Sequence, residues 1–404
     1  MPAVQAAQIA PCPGKSECDA MTASGSPIRV GFVLHIMQVA GAEMLVAETI
    51  RRLGKRIDPT VLCLDGIGPL GERLLNEGVP VLALGRRPGR DWRLAWRLGR
   101  ELRERRIDVV HAHQYTPFFY AALGRAVTRS QARVILTEHG RHYPDIVSPL
   151  RRAVNRFALD HLADAVNACC GFSARALARV DGFSARRIEV LENGIELDRY
   201  EPTPGEPGVE RIVLRHRLGL DPARRYIATV ARFHPVKDHA TLLRGFLCVA
   251  QARADVDLLL VGDGPLRGAL QAQTQELGLA GRVQFMGVRS DIPRILQAVD
   301  LFALTSVSEA ASLTVLEAMA SRLPVVVTAV GGNPEMVRDG IDGLLVPRGD
   351  HAAVGAAMLR LLDDPQCATA MGAAGRARVE ERYQLGQTVE NYWRLYQRLC
   401  PRRG

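Results

Sequence analysis

The stretch DLFALTSVSEAASLTVLEAMASRLPVVVTAVGGNPEMVRDGIDGLLVP, Asp300 to Pro347, decides how the rest of the chain is read. A short apolar run, Leu301–Leu304, gives way to the polar loop Thr305–Glu309. Ser312 then stands where a helix cap belongs, ahead of Leu313–Ala320, and a second apolar run follows at Pro324–Thr328. Apolar runs of strand length separated by a helix-length segment predict parallel strands covered on both faces. The same alternation extends outward in both directions. Toward the N-terminus it predicts strands at Ile28–Leu34, Thr60–Leu64, Val79–Leu84, Val109–His113 and Arg133–Thr137. Nearer the starting stretch it predicts Tyr226–Ala231, Leu258–Gly262 and Val283–Met286. Between the two series lies EPTPGEPGVE, Glu201–Glu210, whose three prolines and two glycines read as a linker. The expectation is therefore an α/β protein of two domains, residues 28–201 and 202–380. A disordered leader, 1–27, precedes them, and a C-terminal segment, 381–404, follows. In that last segment Glu381–Leu399 has a helical pattern, with Tyr392, Leu395, Tyr396 and Leu399 three and four residues apart.

A length of 404 residues fits two domains, and 47% hydrophobic with 24% charged residues fits a folded soluble chain. No apolar run is long enough to span a membrane, and the leader lacks a basic start followed by an apolar run, so a cytoplasmic protein is expected. The eight cysteines are scattered without a C-x-x-C, which favours free thiols over zinc or disulfide frameworks. The net charge of +9 is uneven: 27 basic and 20 acidic residues lie between Ile28 and Glu201, against 19 of each over 202–380. Such an excess suits an anionic surface. Lipid headgroups fit it better than nucleic acid, because only 5% of residues are aromatic and could stack on bases. The segment Asp91–Arg106 reads as a helix with Trp92, Ala95, Trp96, Gly99 and Leu102 on one face and Arg93, Arg97 and Arg100 on another. Two readings of it stand: a surface helix with a solvated basic face, or one that meets anionic lipid at the inner face of the membrane.

Ligands of parallel sheets bind beyond the carboxyl ends of the strands, so the chemistry belongs to the loops there. Two Rossmann-like domains facing each other would place the site in the cleft between them. After Leu304 come Glu309 and, eight positions later, Glu317, with the helix start Ser312-Leu313-Thr314 between them. Free N–H groups at a helix start suit a diphosphate, and a carboxylate can accept two sugar hydroxyls. The bland alternative makes both glutamates solvated surface residues. The loop Val230–Lys237 supplies Arg232 and Lys237, two fixed cations suited to a leaving diphosphate. Lysine is rare here, only Lys15, Lys55 and Lys237 against 49 arginines, which singles out position 237. The first domain contributes a turn with Gly41 and Glu43, His111 and His113 on one side of a strand, and His139 just past a strand end. His111 reads as a core histidine and His139 as a cleft residue. His113 is either a core residue or one on the acceptor side. Gly66–Gly71 matches a dinucleotide fingerprint but follows the second strand and contains Pro69. Asp255 and Asp257 precede a strand and read as a solvated turn rather than a metal site.

These residues give the chain its resemblance to the family-4 retaining glycosyltransferases, whose fold is called GT-B. The resemblance covers Ile28 to about Leu399. It is carried by the Gly41/Glu43 turn, HAH at 111–113, T-x-H-G at 137–140, ENGIEL at 192–197, the Arg232/Lys237 loop and GDGP at 262–265. The glutamate pair before AMA at 318–320, GGNPEMV at 331–337 and DGLLVP at 342–347 complete it. The resemblance implies two Rossmann-like domains across a cleft, with the last helix crossing back to the first domain. It also implies transfer of a hexose from a nucleotide diphosphate sugar to a glycan or lipid-linked acceptor, with retention of configuration and no metal or other cofactor. Surface polysaccharide or glycolipid synthesis would be the setting. Arg232 and Lys237 would hold the diphosphate, Glu317 the ribose, and Glu309 and His139 the donor sugar. Gly41, Ser312, Leu313 and Thr314 would complete the donor site. Two positions depart from the family pattern: Ala40 replaces a glycine, and Ala310 and Ala311 follow Glu309 where a glycine is usual, narrowing the space expected above the sugar. The rival is an inactive relative that binds a nucleotide sugar or lipid without turnover.

Overall fold

The computed structural model of the protein describes residues 26–140, 148–201 and 207–401. Residues 1–25 of the expected leader, 202–206 of the expected linker and 402–404 of the expected tail lie outside them. Among the described residues no helix is long and apolar enough to cross a membrane.

Two all-parallel sheets carry the architecture. The first has seven strands in the order β3-β2-β1-β4-β5-β6-β7. These are β1 (Ile28–Ile36), β2 (Ile57–Gly66), β3 (Val81–Ala83), β4 (Val109–His113), β5 (Arg133–Glu138), β6 (Ala165–Ala168) and β7 (Ile188–Val190). The second has six, in the order β10-β9-β8-β11-β12-β13. These are β8 (Arg225–Val230), β9 (Val256–Val261), β10 (Val283–Gly287), β11 (Leu301–Leu304), β12 (Val325–Thr328) and β13 (Leu344–Val346). In each sheet the winding reverses once, between β1 and β4 and between β8 and β11, and a crevice opens at such a switch point.

Strands buried on both faces need continuous apolar runs, and β9 (VDLLLV) and β11 (LFAL) are buried throughout. The ten strands expected from such runs are all present. β6, β7 and β13 were not among them. β6 is four residues with a central Asn167, and β7 and β13 are three-residue edge pieces, so none has enough apolar pattern to stand out. Asp257 is likewise no solvated turn: it lies within β9, buried, and bonds Arg224 and Arg282.

The chain crosses between the sheets twice, and the two crossings are paired. The stretch expected as one helix over Glu381–Leu399 is instead two, Pro365–Arg382 and Leu385–Leu399, with Tyr383 and Gln384 between them. At this break Ile195 N–H donates to Tyr383 O at 2.9 Å, and Leu385 N–H donates to Ile195 O at 2.9 Å. Gly194 permits the approach, since a Cβ there would lie 2.4 Å from the Gln384 carbonyl carbon. Beyond it the helix Leu385–Leu399 returns to the first sheet. Its Leu385, Val389, Tyr392, Trp393, Leu395 and Tyr396 join one core with Val30, Phe32, Leu45, Ile50 and Val61. Each such burial stabilises by about 1.5–3 kcal/mol.

The opposite face of the first sheet is covered by the helices Trp92–Glu104, Tyr115–Thr128 and the segment Pro149–Leu162. The buried side of Trp92–Glu104 is Leu94, Ala95, Leu98, Gly99 and Leu102. The expected face was therefore misplaced by part of a turn, and Trp92 and Trp96 are exposed. Close packing explains the choice: a Cβ at Gly99 would meet the Gly124 carbonyl at 2.3 Å, so this side of the helix presses against its neighbour and leaves no room for an indole.

Candidate functional site

Both switch points open onto one cleft. On the second-domain side β8 ends at Val230 and leads into Arg232, which is exposed and carries no ion pair among the described residues. Lys237 ends a short turn, Pro235–Lys237, which His234 caps by accepting the Val236 N–H at 3.3 Å. The loop is held from behind by Gly262 at φ +136°, where a Cβ would lie 2.1 Å from the Ala231 carbonyl oxygen. The neighbouring strand β11 ends in the loop to Glu309. Thr305 Oγ1 donates to Asp238 O at 2.8 Å, and Ser306 Oγ to Glu309 Oε1 at 2.6 Å. The Lys237 ammonium forms an ion pair with the same Glu309 oxygen. Gly331, at φ +58°, fixes the loop from the other side: a Cβ would lie 1.7 Å from Glu309 O, so only glycine fits.

The helix Leu313–Ala320 begins as the sequence indicates. Ser312 occupies the cap position, but its hydroxyl meets Thr314 Oγ1 at 3.1 Å instead of capping the helix. Val315 and Leu316 donate to the Ser312 carbonyl, while the N–H groups of Leu313 and Thr314 have no partner among the described residues. The positive end of the helix is thus left for an anion. One turn on, the half-buried Glu317 lies beside Tyr200 and Arg199. Burial pushes its carboxyl up to about 7, against the opposing pull of the Tyr200 hydroxyl and the Arg199 charge.

The first domain faces these groups closely. A Cβ on Gly41, the first residue of the helix after β1, would lie 3.1 Å from Leu313 Cδ1. One on Gly140 would lie 3.7 Å from Ala310 Cβ. Behind Gly140 stands a stack of three histidines. His111 is fully buried, with Nδ1 2.7 Å from the Tyr396 hydroxyl and Nε2 2.7 Å from Thr137 Oγ1. His113 is also buried, and its Nδ1 lies 2.7 Å from His139 Nε2. Their rings stack with centroids 5.0 Å apart. Burial holds His139 down at about 4 and His111 at about 3, and it pushes His113 well below its ordinary value, so near neutral pH all three are uncharged. His139 is the half-buried member beside Gly140, and His113 touches it from the interior side.

Further residues to which the sequence reading gave no role join the two domains here. Glu335 of the second domain accepts the Gly171 N–H at 2.7 Å and an Arg175 N–H at 2.8 Å, which ties the domains together. Glu335 lies in the GGNPEMV motif, but nothing in the sequence marks Arg175 as its partner. Cys169 and Cys170 cluster with Ala310, and Phe172 and Ala311 pack against them. The two alanines after Glu309 thus fill a contact between the domains. Among the described residues no group of three or more His, Cys, Asp or Glu is arranged to hold a metal ion. A cavity of about 710 Å³, lined by Tyr200, Arg225, Asp300 and Pro324, opens at the amino ends of the second sheet, away from these loops.

Two facing Rossmann-like sheets with a cationic loop and a helix start at the shared cleft define the GT-B architecture. Solved structures agree: Anabaena HepE, in complex with UDP and glucose, superposes with a TM-score of 0.80 at 23% identity, covering 91% of this chain and 99% of that one. WaaG, a glycosyltransferase involved in lipopolysaccharide biosynthesis, does so with a TM-score of 0.70 at 17% identity, covering 92% and 99%. The family described as Glycosyl transferases group 1 matches residues 224–364, and Glycosyltransferase Family 4 matches residues 39–199. A GDP-mannose-dependent mannosyltransferase of phosphatidylinositol monomannoside from Mycolicibacterium smegmatis is 33% identical over 70% of this chain and 74% of its own length. The D-inositol 3-phosphate glycosyltransferase of Salinispora tropica is 35% identical over 52% of this chain. The match spans 46% of that relative, about half its length. The chain belongs to the family-4 glycosyltransferases.

Proposed function

We propose that the protein transfers a hexose from a nucleoside diphosphate sugar to a glycan or lipid-linked acceptor, with retention of configuration. The observation that carries this reading is the ion pair of Lys237 with Glu309 beside the open helix start at Leu313 and Thr314. A diphosphate laid across that helix start takes over Lys237 as its partner and gains Arg232. As the glycosidic bond breaks, negative charge grows on the departing phosphate, where Lys237, Arg232 and the two N–H groups stabilise it most. Glu309, relieved of Lys237, turns to the hydroxyls of the donor sugar, and Glu317 accepts those of the ribose. His139, neutral at working pH, hydrogen-bonds the sugar from the opposite wall. The acceptor hydroxyl attacks from the face the phosphate leaves, and the phosphate takes its proton.

HepE is seen in complex with UDP and glucose and the Mycolicibacterium smegmatis mannosyltransferase is GDP-mannose-dependent, which supports a nucleotide sugar donor for this chain. The basic excess of the first domain and the exposed Arg93 and Arg100 on the helix Trp92–Glu104 support work at the cytoplasmic face of an anionic membrane. Incubating the purified protein with UDP- and GDP-hexoses is the test. The expected result is slow donor hydrolysis that Lys237→Ala suppresses. Tight nucleotide binding with no hydrolysis and no transfer would leave the inactive relative as the better account.

A further inference from the structure

Thirteen large hydrophobic side chains are exposed among the described residues, and they are not scattered evenly. Trp92, Trp96, Val127, Leu150, Val154 and Phe157 all stand on the helices over one face of the first sheet. That face carries both exposed tryptophans and the one exposed phenylalanine. The segment Pro149–Leu159 is the sharper case. Leu150 is 72% exposed, Val154 42% and Phe157 75%, at spacings of four and three, so they form one outward stripe. Asn155 and Leu159 point the other way and are buried. Single exposed apolar residues need no explanation, but an aligned stripe does.

The charge around the stripe is one-sided. Residues 149–159 hold Arg151, Arg152 and Arg156 and no acid. Arg151 is engaged with Asp181 and lies over the Tyr115 ring. Arg152 and Arg156 are exposed and, like Arg87 and Arg93 across the face, form no ion pair among the described residues. The helix Tyr115–Thr128 joins the two halves: the Phe119 ring lies 6.2 Å from Trp92, and the Tyr115 hydroxyl donates to Asn155 at 2.6 Å. The result is a face of tryptophan, phenylalanine and aliphatic side chains set among unpaired guanidinium groups. Anionic headgroups above an acyl layer satisfy both the cations and the stripe.

We infer that this face is a membrane-docking surface. The segment Pro149–Leu159 inserts its Leu150, Val154 and Phe157 stripe into an anionic bilayer, and the helix Trp92–Glu104 anchors beside it. The segment belongs to the domain that carries His139, so docking would set that domain against the lipid surface. The surface itself rests on geometry alone. Its bearing on the acceptor rests on the transferase reading above.

The test is flotation of the full-length protein with phosphatidylglycerol-containing vesicles and with neutral phosphatidylcholine vesicles, alongside donor hydrolysis in the same preparations. Binding to anionic vesicles that weakens with salt is expected. The double variant Leu150→Ser/Phe157→Ser should lose it by roughly tenfold, with circular dichroism and donor hydrolysis unchanged. Arg152→Gln/Arg156→Gln should lower it in parallel. Equal binding to both vesicle types, none to either, or unaltered binding by the serine variant overturns the inference. So does self-association that the serine variant abolishes, which would make the face a contact between two copies. Loss of docking with hydrolysis intact leaves the transferase reading standing; docking without any hydrolysis does the reverse.

Discussion

Lys237 and Glu309 neutralise each other before any donor arrives. The lysine is thereby held in place, and on the proposed function an arriving diphosphate would exchange one anionic partner for another. Replacing Lys237 with alanine is expected to cost about 2–4 kcal/mol of transition-state stabilisation, a loss of roughly 30- to 1000-fold in kcat/KM for the donor. Steady-state kinetics will read it, and near-normal turnover would reduce Lys237 to a partner of Glu309. Glu317 gives a pH signature. Its folded pKa, about 7, is above the ordinary carboxyl value, so its contribution to stability is present at low pH and lost as pH rises through 7. The unliganded protein should therefore lose melting temperature between pH 5 and 8, and Glu317→Gln should flatten that fall. Nucleoside diphosphate affinity should move the other way, because the ionised carboxylate is the better acceptor of ribose hydroxyls. A variant with the same two profiles as the parent would take Glu317 out of both roles. The residue types and their order along the chain were legible in the sequence. The pairing was not: a carboxylate and an ammonium 72 positions apart meet only because β8 and β11 are neighbours at a switch point.

At the scale of elements, the sequence was clearest where a strand is buried on both faces. It failed where geometry chose between similar sectors of a helix. Trp92 and Leu94 are both apolar, and the close approach of Gly99 to Gly124, which leaves no room for an indole, favours Leu94 inward. The helix Leu385–Leu399 shows how an element can reach a site indirectly. Its Tyr396 hydroxyl meets His111, which stacks 4.2 Å from His113, which in turn bonds His139. Tyr396→Phe removes a buried partner from His111 Nδ1 and should destabilise the protein by about 1–3 kcal/mol. Chemical denaturation followed by near-ultraviolet circular dichroism will measure it, and a change below a few tenths would show that the bond contributes nothing net.

For the molecule as a whole, the cleft is bridged by small, close contacts: Gly41 with Leu313, Gly140 with Ala310, and Glu335 with Gly171 and Arg175. Contacts of this size can be made and broken as donor enters and product leaves. On the proposed function, charge stabilisation at the diphosphate would come from Arg232, Lys237 and a helix start, so transfer is expected to proceed unchanged in excess chelator. Activity lost in chelator and restored by magnesium or manganese would contradict that. The paired crossings at Ile195 and Gln384 have a different kind of consequence, for how the chain is made. The first domain emerges from the ribosome first, yet one face of its sheet, covered in part by the helices Gly41–Leu53 and Gly68–Asn76, is completed only when the helix Leu385–Leu399 has been synthesised. The second domain, continuous in sequence, can finish earlier. The nascent chain should therefore complete its second domain first and hold an unfinished first domain, with apolar surface open to chaperones, until the helix Leu385–Leu399 is made.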